Sequence, residues 1–300
     1  MEIEEIAISI GENSIDIVDK YKIPGLVEKT GISVVYETNE TTVGLAAKAI
    51  NSLPNLNKAD IKAMFMVTQS PDDYLPANAI SLSNKVEMPK SLLTMDFNQG
   101  CSGFVQAFAL CEDLLKKYNK ILLVTCDRYR AKCKPSDRST NAVFSDGASA
   151  MVLQQNKNMK VHYENHMTAG EYRDLLFQST SEENDGHIHM AGADIWLFTR
   201  REVVPQINDA INYCKENNLI IKGVYIHQAS KLVVDGIKQY VDIDEDLFYE
   251  NYSKFGNTVS SSIPLLINDF PFDLKASEVV ILAGFGVGLT SSVLVYGDTK

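Results

Sequence analysis

"IKAMFMVTQS" (Ile61–Ser70) returns 160 residues later as "IKGVYIHQAS" (Ile221–Ser230), with the same first, second and last residues and apolar matches between them. Self-similarity at a fixed offset is the mark of a repeated structural unit. The echo continues in order and at nearly the same offset. "MDFNQGCSGF" (Met95–Phe104) falls opposite "SKFGNTVSSS" (Ser253–Ser262), and "KILLVTCD" (Lys120–Asp127) falls opposite "EVVILAGF" (Glu278–Phe285). Each half then reads strand, helix, strand, glycine-bearing turn, helix, strand. This predicts an α/β fold with a mainly parallel sheet, made of two similar units over residues 1–160 and 161–300.

Local patterns agree with that outline. "TTVGLAAKAINSL" (Thr41–Leu53) offers a threonine cap and an apolar stripe of Val43, Ala46, Ala47 and Ile50, so it predicts a helix. Ile61–Val67 and Ile121–Thr125 are too uniformly apolar for half-exposed strands and are expected to be central. Thr180–Trp196 is polar and rich in turn formers, which predicts a loop. A helix is expected after it, near Arg200–Asn217, with Val204, Ile207, Ile211 and Cys214 on its apolar face.

Composition narrows the function classes. The chain has 300 residues, 45% hydrophobic and 22% charged, as in an ordinary globular protein. Its formal charge of −11 disfavours nucleic acid and anionic lipid. No apolar run approaches the roughly 18 to 20 residues of a membrane span, and "MEIEEIAISIGEN" lacks the basic start of a signal peptide. Five cysteines (Cys101, Cys111, Cys126, Cys133 and Cys214), odd in number and set in apolar surroundings, suit reduced thiols in a cytosol. No metal site is expected, because Cys126 and Cys133 lack zinc spacing and His162/His166 and His187/His189 have no thiol or carboxylate motif beside them.

Chemistry in α/β sheets gathers at the carboxyl ends of strands. Three residues fall there: Cys101 after "SLLTMDF", His227 after "KGVYI" and Asn257 in "FGNTVSSS". Cys101 follows Gly100 and begins a helix, where the dipole and free N–H groups are expected to lower a thiol's pKa from about 8.5. His227 stands opposite Val67, so the repeated unit does not itself require a polar group there. Each also has a plain structural reading: a packed cysteine, a hydrogen-bonded histidine, a turn asparagine. Cys111, deeper in the same helix, is expected to be core. Gly284, Gly286 and Gly288 in "LAGFGVGLTSS" do not fit a dinucleotide fingerprint and better suit backbone N–H groups offered to an oxyanion.

The sequence resembles the 3-oxoacyl-[acyl-carrier-protein] synthase III family of the thiolase-like superfamily. The resemblance rests on "CSGF" at Cys101, "DRSTNAVFSDGASAMVL" at Asp137–Leu153, "HQAS" at His227, "FGNTVSSSIPLL" at Phe255–Leu266 and "GFGVGLT" at Gly284–Thr290. It implies a duplicated thiolase-like fold, two βαβαβαββ halves packed as an αβαβα sandwich, and a homodimer. It further implies that Cys101 is acylated from a coenzyme A or carrier-protein thioester. His227 and Asn257 would support decarboxylation of malonyl-acyl carrier protein, and the N–H groups of Cys101 and Gly286 would hold an oxyanion. Phe285, Phe144 and Leu75 would line the pocket, Leu75 by reaching a partner subunit. Lys29, Arg138, Trp196 and Lys231 would meet the coenzyme or phosphopantetheine, which arrives with the substrate, so no resident cofactor is expected.

Departures from the family bear on the substrate. Gly25 stands where the family stacks a tryptophan on adenine, Ala193 where an asparagine commonly meets pantetheine, Leu232 where a basic residue follows "HQA", and Val287 where glycine is usual. These imply an unusual or carrier-bound acyl donor. Two other readings stay open: transfer of the acyl group from Cys101 to a hydroxyl or amine without loss of carbon dioxide, and a silent subunit of a heteromeric synthase.

Overall fold

The even apolarity of Ile121–Thr125, within a strand that runs Lys120–Asp127, has a geometric cause. In a computed structural model, which describes residues 1–179 and 186–299, this strand lies inside a five-stranded sheet covered on both faces. Ile121 and Leu123 enter one core, and Leu122, Val124 and Cys126 enter another. Successive side chains alternate between faces, and neither face meets water.

The sheet contains β1 (Glu2–Ile10), β2 (Ala63–Val67), β3 (Leu93–Phe97), β4 (Lys120–Asp127) and β5 (Gly147–Gln154), in the spatial order β1-β5-β4-β2-β3. Between them run α1 (Thr42–Asn51), α2 (Asn78–Lys85) and α3 (Gly100–Leu115). A second sheet of four strands, β6 (Met159–Thr168), β7 (Ile220–Ile226), β8 (Glu278–Gly286) and β9 (Thr290–Asp298), has the order β7-β8-β9-β6. Its helices are α4 (Gly192–Phe198), α5 (Val204–Glu216), α6 (Lys231–Lys238) and α7 (Ser262–Asp269). The place of a further strand beside β7 is held by one bridge, Val224 to Phe248.

Three cores define five layers. Leu45, Ile50 and Leu82 of α1 and α2 pack on the outer face of the first sheet. Phe104 and Phe108 of α3, with Ile263 and Leu266 of α7, fill the space between the sheets. Ile207 and Ile211 of α5, with Val234 and Ile237 of α6, cover the second sheet. The arrangement is the expected αβαβα sandwich.

Two expectations change. The sheets are mixed rather than mainly parallel: β2 runs parallel to β3 and β4, and β7 to β8, but β1, β5, β6 and β9 pair antiparallel. The β8–β9 link is too short for the crossover that a parallel pair needs. Of the loop expected over Thr180–Trp196, residues 180–185 lie outside the described residues, Ile188–Met190 is a strand paired with Leu176–Gln178, and Trp196 belongs to α4. From Gly192 the chain is helical through a wide π turn at Thr199–Val203 into α5. Two residues past the end of that wide turn, in the first turn of α5, stands Pro205, which has no N–H for an ordinary helical bond. The helical segment therefore starts earlier than its apolar stripe suggests.

Candidate active site

After β3 the chain turns through Gly100 at φ 53°, and a Cβ there would lie 2.2 Å from Gln69 Oε1. Both the left-handed backbone and the close approach call for glycine. The turn delivers Cys101 to the first turn of α3, only 5% exposed. From the other half, Gly286 closes on it: a Cβ there would lie 3.0 Å from Cys101 Sγ. Burial pushes the thiol well above its ordinary range, and the Asp127 carboxylate adds to the rise, while the N–H groups of Cys101 and Val287 oppose it. The depressed pKa expected at a helix start is thus reversed, because loss of water outweighs the terminal N–H groups. Cys111 is fully buried between the sheets, as a packing residue would be.

His227 follows β7, and its N–H donates to Ala283 O at 2.9 Å. The side chain is buried, with Nδ1 2.6 Å from Ser262 Oγ and the ring edge-on to Phe285 at 5.6 Å. Burial lowers its pKa to about 3, so the imidazole is neutral at physiological pH. Ser262 Oγ accepts the Gln228 N–H at 3.4 Å and can give its own hydrogen to Nδ1. Nε2 then carries the ring proton.

Asn257 is held by its backbone across the two halves. Its N–H donates to Val143 O and its carbonyl accepts from Ser145 N–H, both at 2.9 Å, beside Phe144. Its side-chain Oδ1 accepts the Val259 N–H at 2.9 Å. That leaves the Nδ2 donors for a ligand.

Cys101, His227, Asn257, Phe285, Gly286 and Phe144 line one largely apolar cavity of about 320 Å³. Lys29 and Trp196 also line it. Arg138 and Lys231 do not; they are exposed beside Ser139 and Ser230, which do. Leu75 is 87% exposed and lies outside the cavity of its own chain. Sequence reading passed over Tyr129 and Met190 as lining residues and Ser262 as the partner of His227. Ser262 sits within a run of serines that sequence could not tell apart, and nothing local marks Tyr129. Among the described residues no group of three potential metal ligands gathers.

The arrangement combines a buried thiol, a neutral imidazole donor and an amide donor, with backbone N–H groups close to the sulfur. Known proteins share its framework. Residues 95–170 match the family profile of 3-oxoacyl-[acyl-carrier-protein (ACP)] synthase III, and residues 217–297 match the profile of that family's C-terminal part. A beta-ketoacyl-[acyl-carrier-protein] synthase III of Streptococcus agalactiae is 29% identical over 285 residues, 89% of this chain and 88% of that protein. One from Lactococcus lactis is 27% identical over 314 residues, covering 96% of each. Among solved structures, beta-ketoacyl-[acyl carrier protein] synthase III from Thermus thermophilus superimposes with a TM-score of 0.88 at 21% identity over 99% of each chain. The priming β-ketosynthase of the R1128 polyketide pathway gives 0.83 at 18%, covering 100% of this chain and 97% of that one.

Proposed function

Since the chain belongs to the 3-oxoacyl-[acyl-carrier-protein] synthase III family, we propose that it is a condensing acyltransferase in which Cys101 takes an acyl group and joins it to malonyl-acyl carrier protein. The observation that carries this reading is the convergence of Cys101, His227 and Asn257, from separate turns of two halves, on one apolar cavity.

The first step is thioester exchange. Cys101 sulfur bonds to the acyl carbon, the donor's C–S bond breaks, and the thiol proton ends on the departing pantetheine sulfur. A thiol that burial keeps protonated suits this coupled transfer, and the N–H groups of Cys101 and Gly286 would hold the oxyanion. Next, the malonyl carboxylate leaves as carbon dioxide. Nε2–H of His227 and Nδ2–H of Asn257 donate to the thioester oxygen, on which the enolate charge collects. Neutral donors fit here, and the low pKa of His227 keeps it in that form. The carbanion attacks acyl-Cys101, the sulfur leaves and is reprotonated, and a 3-oxoacyl thioester departs.

The pantetheine arm of coenzyme A or carrier protein would enter past Trp196, with Lys29, Arg138 and Lys231 near the rim. Gly25 is exposed and a side chain added there would meet nothing within 4 Å, so the rim is open where the family stacks adenine. This favours a donor recognised through its pantetheine arm or carrier. The halves 1–160 and 161–300 would act as the two units of the duplication, since one sheet draws its strands from residues 2–154 and the other from 159–298. A homodimer is supported by the sheet edge at β3, where Leu93 and Met95 are exposed, and by the exposed side chains of Tyr74 and Leu75. Pairing that edge with a second copy would bury it and set Leu75 at the partner's pocket. Leu93→Lys is expected to shift the protein toward monomer by light scattering. Five unbridged, buried cysteines agree with a reducing cytoplasm, and among the described residues no helix is long and apolar enough to cross a membrane.

Intact mass after incubation with a panel of acyl thioesters tests the reading. An adduct on the wild type, absent in Cys101→Ala, followed by carbon dioxide and a 3-oxoacyl product on adding malonyl-carrier protein, is the expected result. Loss of the acyl group to an alcohol or amine without carbon dioxide would favour the simple transferase, and no adduct with any donor would favour a silent subunit.

A further inference from the structure

Asp127, at the end of β4, is fully buried, and its charge is met by hydrogen-bond donors from both halves. Oδ1 accepts the Gln69 N–H at 2.7 Å and the Ser70 hydroxyl at 3.3 Å. Oδ2 accepts the Ser260 hydroxyl at 2.6 Å and the Ser260 N–H at 3.2 Å. A buried carboxylate is costly unless its lone pairs are all engaged, and here they are. The residue before Ser260 is Val259, at φ 55°. A β-branched residue in the left-handed region is strained and persists only where its surroundings hold it. Its N–H is the donor that fixes Asn257 Oδ1.

We propose that Asp127 is a positioning residue for Asn257: by gripping Ser260 it holds Val259 left-handed, and Val259 in turn aims the Asn257 amide at the cavity. The same carboxylate grips the β2 end, where Gln69 packs on Gly100 next to Cys101. Asp127 thereby sets the distance between the turn that carries the thiol and the turn that carries the amide. This rests on the condensing reading, in which Asn257 serves decarboxylation but not acylation of Cys101.

Asp127→Asn breaks the arrangement selectively. With its oxygen on Gln69 N–H, its amide NH2 can donate to the Ser260 hydroxyl but meets the Ser260 N–H donor to donor. Ser260→Ala is the second variant, removing one grip with little change in volume. In the full chain, hydrogen exchange at the backbone amides of positions 259 and 260 is expected to rise about tenfold or more in both variants with α3 unchanged. Carbon dioxide release from malonyl-carrier protein should fall about tenfold to a hundredfold in both, with acylation of Cys101 within about threefold of wild type in Ser260→Ala, which keeps the Asp127 charge and its bond to Gln69. Unchanged exchange at positions 259 and 260, or two half-reactions that in Ser260→Ala fall together or not at all, would overturn the proposal. A wild-type chain that neither takes an acyl group nor releases carbon dioxide would remove the functional reading, and the exchange result would then decide the role of Asp127 alone.

Discussion

The turns around Cys101 and Val259 occupy matching places in the two halves, yet they spend the same geometry differently. In the first, Gly100 takes the left-handed backbone, so the next residue is free to present a thiol. In the second, Val259 takes it, and what reaches inward is an N–H that orients Asn257. The serine after each crosses to the opposite half: Ser102 Oγ lies 2.7 Å from Thr290 Oγ1, and Ser260 grips Asp127. Both turns thus carry a serine clasp to the opposite half, and they differ in the residue beside it. The strand ends differ likewise. Val67 packs against the place a Cβ would take at Gly103, whereas His227 meets Ser262 and Phe285.

If the division is right, removing each side should cost a different half-reaction. Cys101→Ala is expected to lower acyl-adduct formation by at least about 10³-fold, read by mass spectrometry. Asn257→Ala should slow carbon dioxide release by about 10²-fold, the usual cost of losing one oxyanion donor, while Cys101 still acylates.

The His227 environment predicts a pH effect on folding. Its pKa is about 3 when folded against about 6.5 unfolded, so the unfolded chain takes up the proton first as pH falls. Stability present above pH 6.5 is therefore lost below it. Relative to His227→Gln, the wild type should lose about 2 kcal/mol between pH 7 and pH 5 in urea titrations. The carboxyls of Asp127 and Asp146, raised to about 6 by burial, favour the folded state on acidification and act equally in both proteins, so they cancel. The smallest effect is expected from Ser102→Ala. It removes the Thr290 contact at about 1 kcal/mol in stability and leaves the ratio of the two half-reactions unchanged, unlike Ser260→Ala.

Much of this was legible in the sequence because periodicity and repetition report burial. Uniform apolarity at Ile121–Thr125 marks a strand covered on both faces, and the offset blocks place Cys101 and His227 at strand ends, whereas Asn257, expected at one too, follows a one-turn helix, Tyr252–Phe255. Other features depend on contacts distant in sequence. Nothing near Asp127 or Tyr129 reveals what they face across the halves. The thiol's raised pKa follows from Gly286 and the surrounding core excluding water, whereas the sequence showed only a helix start. The early start of the helical segment at Gly192 was hidden because its polar first turn reads as a loop.

The most direct test is carbon dioxide release from malonyl-carrier protein by Cys101→Ala, with and without the added change Asn257→Ala. The two-turn division predicts that the single variant still releases carbon dioxide without forming a 3-oxoacyl product, and that the double variant loses this release. A wild type that releases carbon dioxide while Cys101→Ala releases none would contradict it.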